Sequence, residues 1–230
     1  MNMPTSNPSD WPATGALEQT IAARAWAHGW AISRSTPAPL AHAGYWQIQV
    51  GKPEQVRRYV LPELDPDVLR RLVATAAGPG VWLKVCAPPE DVAPLLSGDW
   101  TVHAPEFLMS TPLAGQAESA VAGYLIQTGQ VGAIVVAQVV TDSGELAAGG
   151  QAAIDGAFAT FDQIVTSEAH RRKGLGRCVM AALARAAVDR GARHGVLVAT
   201  EAGAALYQAL GWAMVSPVTA ASCSAAAPAA

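Results

Sequence analysis

The sequence predicts an α/β (α+β) protein with a mixed, mostly antiparallel central sheet flanked by helices and an additional N-terminal α/β lobe. Three observations lead there. Apolar periods of two and of 3.6 residues alternate along the chain. From Ser119 to Val165, strand-like runs follow one another across short turns, as in an antiparallel meander. From Gly174 onward the order becomes helix, strand, helix, strand. With 230 residues, 51% of them apolar, the chain can bury a sizeable core in one large domain or two small ones.

Residues 1–15 are rich in Pro, Ser, Thr and Asn and are expected to be disordered. Leu17, Ile21 and Ala25, with Ala22 and Trp26, recur at helical spacing from Ala16 to Gly29. Tyr45 to Val50 alternates apolar and polar groups, and Arg57 to Leu61 is its partner across the turn at Gly51 to Pro53. Asp65 and Pro66 start a helix whose stripe is Val68, Leu69, Leu72 and Val73, and Gly78 to Gly80 end it. A buried strand at Val81 to Cys86, a short helix at Pro88 to Leu96 and an extended piece at Trp100 to Ser110 follow, and residues 16–113 either complete the sheet of the second half or form a lobe packed against it, the lobe being the expectation. Trp46, Trp82 and Trp100 are expected to fill its core.

A second domain spans residues 114–217. Its strand runs are Ser119 to Thr128, Val131 to Val140, Glu145 to Ile154 and Ala157 to Val165, with turns at Thr141 to Gly144 and at Asp155 and Gly156. A helix from Gly174 to Arg190 presents Leu175, Val179, Leu183 and Ala187 as one stripe, so one face covers a sheet. Strand Gly195 to Thr200, helix Glu201 to Leu210 and strand Trp212 to Ser216 follow, with Gly191 and Gly211 where helix C-terminal glycines belong. The Ala/Ser tail over residues 218–230 is expected to be disordered.

The net charge of −3 argues against a nucleic acid or an anionic membrane surface as main partner. Charge is nonetheless segregated: seven of the fifteen Lys and Arg fall between Arg171 and Arg193, while Val85 to His170 holds none and carries ten acids. An acidic pocket supplied by that segment is the resulting expectation. Cys86, Cys178 and Cys223 lack metal-ligand spacing, so no metal is expected, and Cys86 and Cys178 read as small buried hydrophobes. No apolar run approaches the ~20 residues that span a bilayer. The opening residues lack a basic and then apolar leader pattern, which gives the expectation of a cytoplasmic protein.

The chemistry concentrates between Phe161 and Met180. There a strand runs through Arg171-Arg172-Lys173-Gly174-Leu175-Gly176 into a helix, and backbone N–H groups with a helix dipole form an anion cradle. A Walker loop fails because no Gly-Lys-Ser/Thr follows, and a dinucleotide fingerprint fails because Val179 stands at the third glycine position. Arg-x-x-Gly-x-Gly at such a turn resembles the acetyl-coenzyme A motif of the GNAT superfamily of N-acetyltransferases. Leu206, Tyr207, Gly211 and Trp212 resemble a second segment of that family, so the likeness covers about residues 120–217. A weak echo of element order in residues 16–113 is compatible with a degenerate copy of the same unit.

The resemblance implies a primary amine of a small molecule attacking acetyl-coenzyme A directly in a ternary complex. Arg171, Arg172, Lys173, Gly174, Leu175, Gly176 and Arg177 would hold the pyrophosphate. Ile164, Val165 and Thr166 would hold the pantetheine arm, with Val165 donating its N–H to the thioester carbonyl. Tyr207 would protonate the departing thiolate, and Asp162 would act as base through water or as a structural or substrate-orienting acid. Glu168 is expected to pair with Arg172 or cap its loop, His170 to flank the cradle and His194 to occupy a surface turn. A coenzyme-binding module without turnover, transfer of a longer acyl chain and a homodimer all stay open.

Overall fold

The computed structural model describes residues 17–114 and 121–224, so the expectation for residues 1–15 lies outside the described residues. Helix α1 (Gln19–Ser33) is followed by strands β1 (Leu40–His42), β2 (Tyr45–Lys52) and β3 (Gln55–Leu61). Next come α2 (Pro66–Thr75), β4 (Val81–Val85), the single turn α3 (Pro89–Val92), β5 (Trp100–Val102) and β6 (Glu106–Pro112). The meander is β7 (Tyr124–Val131), β8 (Ile134–Thr141), β9 (Leu146–Asp155) and β10 (Phe158–Thr166). The chain ends with α4 (Leu175–Val188), β11 (His194–Thr200), α5 (Glu201–Ala209) and β12 (Ala213–Cys223).

Local chemistry explains several boundaries. Asp65 caps α2, its carboxylate accepting from the N–H groups of Asp67 and Val68 at 2.9 and 3.1 Å, with Pro66 in the first turn. Such a cap is worth about 1 kcal/mol. Thr200 caps α5 in the same way by accepting from Gly203 N–H at 3.3 Å.

Strands run in the order β1-β2-β3-β4-β12-β6-β11-β10-β9-β8-β7, with β5 also pairing β12. This order revises the domain reading. β6 precedes residue 114 in sequence, yet it lies between β11 and β12 and pairs antiparallel with both. β6 therefore completes the sheet of the second half, while β1 to β5 keep a core of their own and join that sheet through the end of β12. The tail reading at Val218 is likewise corrected, because β12 continues to Cys223. Thr219 to Cys223 pair with β4, and Thr219 Oγ1 donates to the buried carbonyl of Ala87 at 2.8 Å. Ala220 and Ala221 are small because they lie within the sheet's buried interior, and small side chains there read in sequence as a tail.

Helices cover the sheet from both sides. Leu175, Val179, Leu183 and Ala187 of α4 pack against Val135, Ala137, Val139, Ala148 and Ala152 of the meander, as the stripe predicts. On the other face Ala22, Ala23, Trp26, Ala27 and Trp30 of α1 meet Ile48, Val60, Leu108, Phe158, Val196 and Val218, which come from both halves. At Gly29 the approach is so close that an added Cβ would lie 1.9 Å from Thr160 Oγ1. Glycine there lets α1 press onto β10, and Thr160 donates to the Ala25 carbonyl at 3.1 Å. Cys86, Cys178 and Cys223 are all buried, and burial pushes the Cys86 thiol up to about 12.

Candidate active site

The site begins where β10 and β11 part. They pair in parallel only at Phe158 to Thr160 against His194 to Val196. Beyond Thr160 the ladder with β9 is interrupted between Asp162 and Val165, and Gln163 takes a left-handed backbone conformation at φ 57°. A bulge of this kind bends a strand away from its neighbour. The gap is a cavity of about 220 Å³ lined by Phe161 to Ile164, by Leu197 to Thr200, and by Gly203 and Tyr207 of α5.

Tyr207 is buried at the side of this gap, near the edge of Trp212, whose ring meets Phe161 at 5.1 Å. Burial pushes its phenol up to about 12, and the negative charge of Asp162 adds to the rise. It therefore holds its proton throughout the neutral range. Ser167 N–H donates to Ala147 O at 2.9 Å, and the register continues through Val165 opposite Gly149. In an antiparallel ladder every second residue turns its N–H to the same neighbour. The Val165 N–H is thus directed toward β9 and that of Thr166 away from it, while Ile164 lies within the bulge and lines the gap.

At the end of β10 a short 3-10 turn, Glu168–His170, leads to the basic loop. Arg172 and Gly174 both adopt left-handed conformations, at φ 64° and 79°. Gly174 is the N-cap residue of α4, and the first intrahelical bond runs from Cys178 N–H to Gly174 O. The preceding N–H groups of the first turn have no helical acceptor and, with the helix dipole, suit an anion. Arg171, Arg172, Lys173 and Arg177 surround them as exposed cations.

The acetyltransferase (GNAT) domain family matches residues 130–213. That segment holds the bulged strand, the basic glycine turn and Tyr207. This segment is GNAT-like. Solved structures extend the likeness to the whole fold. A GCN5-related N-acetyltransferase from Kribbella flavida is 17% identical with a TM-score of 0.64, over 89% of this chain and 96% of that one. A GNAT-family protein from Novosphingobium aromaticivorans is 15% identical with a TM-score of 0.59, over 90% and 100%. A GCN5-related N-acetyltransferase from Sphaerobacter thermophilus is 11% identical with a TM-score of 0.57, over 77% and 76%. No curated protein matches the chain in sequence.

Within this GNAT-like frame, the structure ties Asp162 to α1. Its carboxylate accepts from Arg34 Nε at 2.6 Å, Arg34 Nη2 at 2.9 Å, Ser33 Oγ at 2.6 Å and Gln163 N–H at 2.9 Å. Gln151 donates to both the carbonyl and the hydroxyl of Ser33, each at 2.7 Å, which fixes the end of the helix. Both carboxylate oxygens of Asp162 are thus engaged within the protein.

The expected acidic pocket is also corrected. Beneath α1 and next to Asp162 lies a second cavity of about 190 Å³, and its cations are Arg34, Arg58 and Lys84. They come from the N-terminal half, where sequence spacing shows no chemistry, and a cluster scattered over three elements leaves no linear signal. Lys84 is ion-paired with Glu106. Burial lowers Lys84 to about 8, against the opposing charge of Glu106.

His170 is buried beside the cradle, with Tyr124 Oη 2.9 Å from Nδ1 and Glu145 3.2 Å from Nε2. Lys173 Nζ donates to the same Tyr124 oxygen at 3.0 Å. Glu168 opens the 3-10 turn, and no Glu168–Arg172 ion pair forms among the described residues. His194 is buried at the start of β11, not in a surface turn, because its strand enters the sheet between β6 and β10. Among the described residues no helix is long and apolar enough to cross a membrane, and no group of three or more His, Cys, Asp or Glu could hold a metal ion.

Proposed function

We propose that the chain is an N-acetyltransferase that moves an acetyl group from acetyl-coenzyme A to the amine of a small molecule by direct attack in a ternary complex. The single observation that carries this reading is the parting of β10 from β11. It sets the bulged strand and a protonated tyrosine along one gap, and the same strand leads on into the basic turn at the start of α4. Coenzyme A is an extended thioester with a pyrophosphate at one end, and it matches these features along its length.

In this reading the first-turn N–H groups of α4, with Arg171, Arg172, Lys173 and Arg177, bind the pyrophosphate. The N–H groups of Ile164 and Thr166 hold the pantetheine arm and the thioester carbonyl, in place of Val165. Withdrawing electrons from that carbonyl favours attack by the amine nitrogen. The new C–N bond forms, the C–S bond breaks, and Tyr207 gives its phenolic proton to the sulfur. The proton carried by the attacking nitrogen is lost to water as the neutral amide forms, since the Asp162 carboxylate is held by Arg34 and Ser33, and water returns a proton to Tyr207. Proton transfer by a placed side chain contributes about 10²- to 10⁴-fold to such a step.

Calorimetry with acetyl-coenzyme A, followed by free-thiol release over a panel of small amines, tests the reading. Binding together with amine-dependent thiol release is expected. Binding with no release on any amine would favour a coenzyme-binding module without turnover, and absence of binding would overturn both.

A further inference from the structure

The cavity beneath α1 holds an unequal set of charges. Arg34 is closed by Asp162 and Lys84 by Glu106. Arg58, the third cation, forms no ion pair among the described residues although it is buried, 8% exposed. Its Nε has no hydrogen-bond partner. The guanidinium carbon lies over Trp30, 3.8 Å from the ring centre, with the Trp26 ring centre 5.7 Å away. Stacking occupies the faces of a guanidinium, while its N–H donors lie in the plane and stay available.

A buried cation with no direct ion pair is costly, and here the charges of Glu106 and Asp162 favour it without pairing with it. Burial lowers Arg58 only to about 10, so it is charged at neutral pH. The ledger of three cations against two carboxylates leaves room for one negative charge. The cavity shares Phe161 and Asp162 with the gap that holds Tyr207, so a molecule seated here reaches toward the thioester position.

We infer that the acceptor amine carries a carboxylate, as amino acids do, and that Arg58 binds this carboxylate in the cavity beneath α1. A planar fork of N–H donors matches a carboxylate in geometry. A single uncompensated positive charge favours a monoanion over a phosphate dianion. Trp26 and Trp30 supply apolar walls for the carbon skeleton, and the amine is left facing the gap. The inference deepens the acetyltransferase reading and rests on it.

The test compares amino acids with their carboxamides and with aminoalkylphosphonates of matched length, using thiol release from acetyl-coenzyme A. The acids are expected to exceed the amides in kcat/KM by about 10- to 100-fold, the range for losing a charged hydrogen bond. Arg58→Gln is expected to raise KM for acids by a similar factor, with a smaller change in kcat, and to leave the amides unaffected. Arg58→Lys, which keeps the charge but loses the fork, should fall between the two.

Amides turned over as well as acids by the natural protein would overturn the inference while leaving the acetyltransferase reading in place. So would phosphonates preferred to carboxylates. Thiol release on no amine at all would instead sink the underlying reading. In that event quenching of tryptophan fluorescence by amino acids, and its loss in Arg58→Gln, still decides whether carboxylates bind. Because the acid-to-amide ratio is measured on the natural chain, misfolding of a variant cannot hide the result.

Discussion

The glycine turn after β10 and the charged cavity beneath α1 flank the same strand and are built in opposite ways. The turn is exposed, contiguous in sequence and made of backbone: left-handed Arg172 and Gly174, then the open N–H groups of α4. The cavity is buried and made of side chains from α1, β3, β4, β6 and β10. A backbone site tolerates side-chain change but not conformational change, and a side-chain site does the reverse. The proposed functions follow that division, with the invariant carrier on the backbone and the acceptor on side chains.

The largest effect is expected where the two regions join. Tyr207→Phe preserves the packing against Trp212 but removes the proton held for the leaving thiolate. It should lower kcat by about 10²- to 10⁴-fold with little change in KM for either substrate. Steady-state kinetics with both substrates varied would check this, and an unchanged kcat would assign Tyr207 to packing alone.

Next in size is Gly174→Ala. Nothing lies within 4 Å of an added Cβ, so any loss comes from the φ of 79° and not from a clash. A left-handed conformation costs an alanine about 1–2 kcal/mol, which corresponds to roughly 5- to 30-fold in acetyl-coenzyme A affinity. Calorimetry should show that loss, with the acid-to-amide preference intact. A variant that changed acceptor preference instead would break the division.

A smaller, pH-dependent effect belongs to the cavity. Lys84 faces Glu106 and lies near Arg58, with Arg34 and Asp162 across the same space. Burial lowers its ammonium to about 8, so the charge is present below that pH and lost as pH rises through it. Once Lys84 is neutral, Glu106 is an unpaired anion beside Arg58 and competes with a substrate carboxylate. KM for an acidic acceptor should therefore rise several-fold between about pH 7 and 9, while KM for acetyl-coenzyme A stays level. In Lys84→Met the step near pH 8 should vanish, with KM already high at pH 7.

The same division explains what could be read from the sequence. The cradle lies within Phe161 to Met180 and Tyr207 within one short run to Trp212, so neighbours in sequence are neighbours in space. The meander and α4 were legible because their periods match their buried faces. Arg34 reaches Asp162 across 128 positions, and Glu106 reaches Lys84 across 22 through a strand exchange. Such pairs carry no period or motif. The Lys- and Arg-free segment suggested an acidic pocket, but the sheet brings cations from residues 34, 58 and 84 to it. The last strand was hidden by composition, since Thr219 to Cys223 owe their order to β4 and β5 and not to local propensity.

The smallest effect sharpens the contrast most. Arg171 stands at the defining first position of the motif, yet its side chain is exposed and its nearest partner is the Thr166 carbonyl, 3.5 Å from Nε. An exposed charge next to an anion gains little in water, about 0.2–1 kcal/mol, and salt screens it. Arg171→Ala should therefore weaken acetyl-coenzyme A binding only about 1.5- to 5-fold at low ionic strength, and the difference should fade by about 0.5 M salt. Gly174→Ala should keep its full effect at every salt concentration, because conformational strain is not screened. If Arg171→Ala instead proved the more damaging of the two, the turn would be a side-chain site like the cavity, and the backbone account of the cradle would fail.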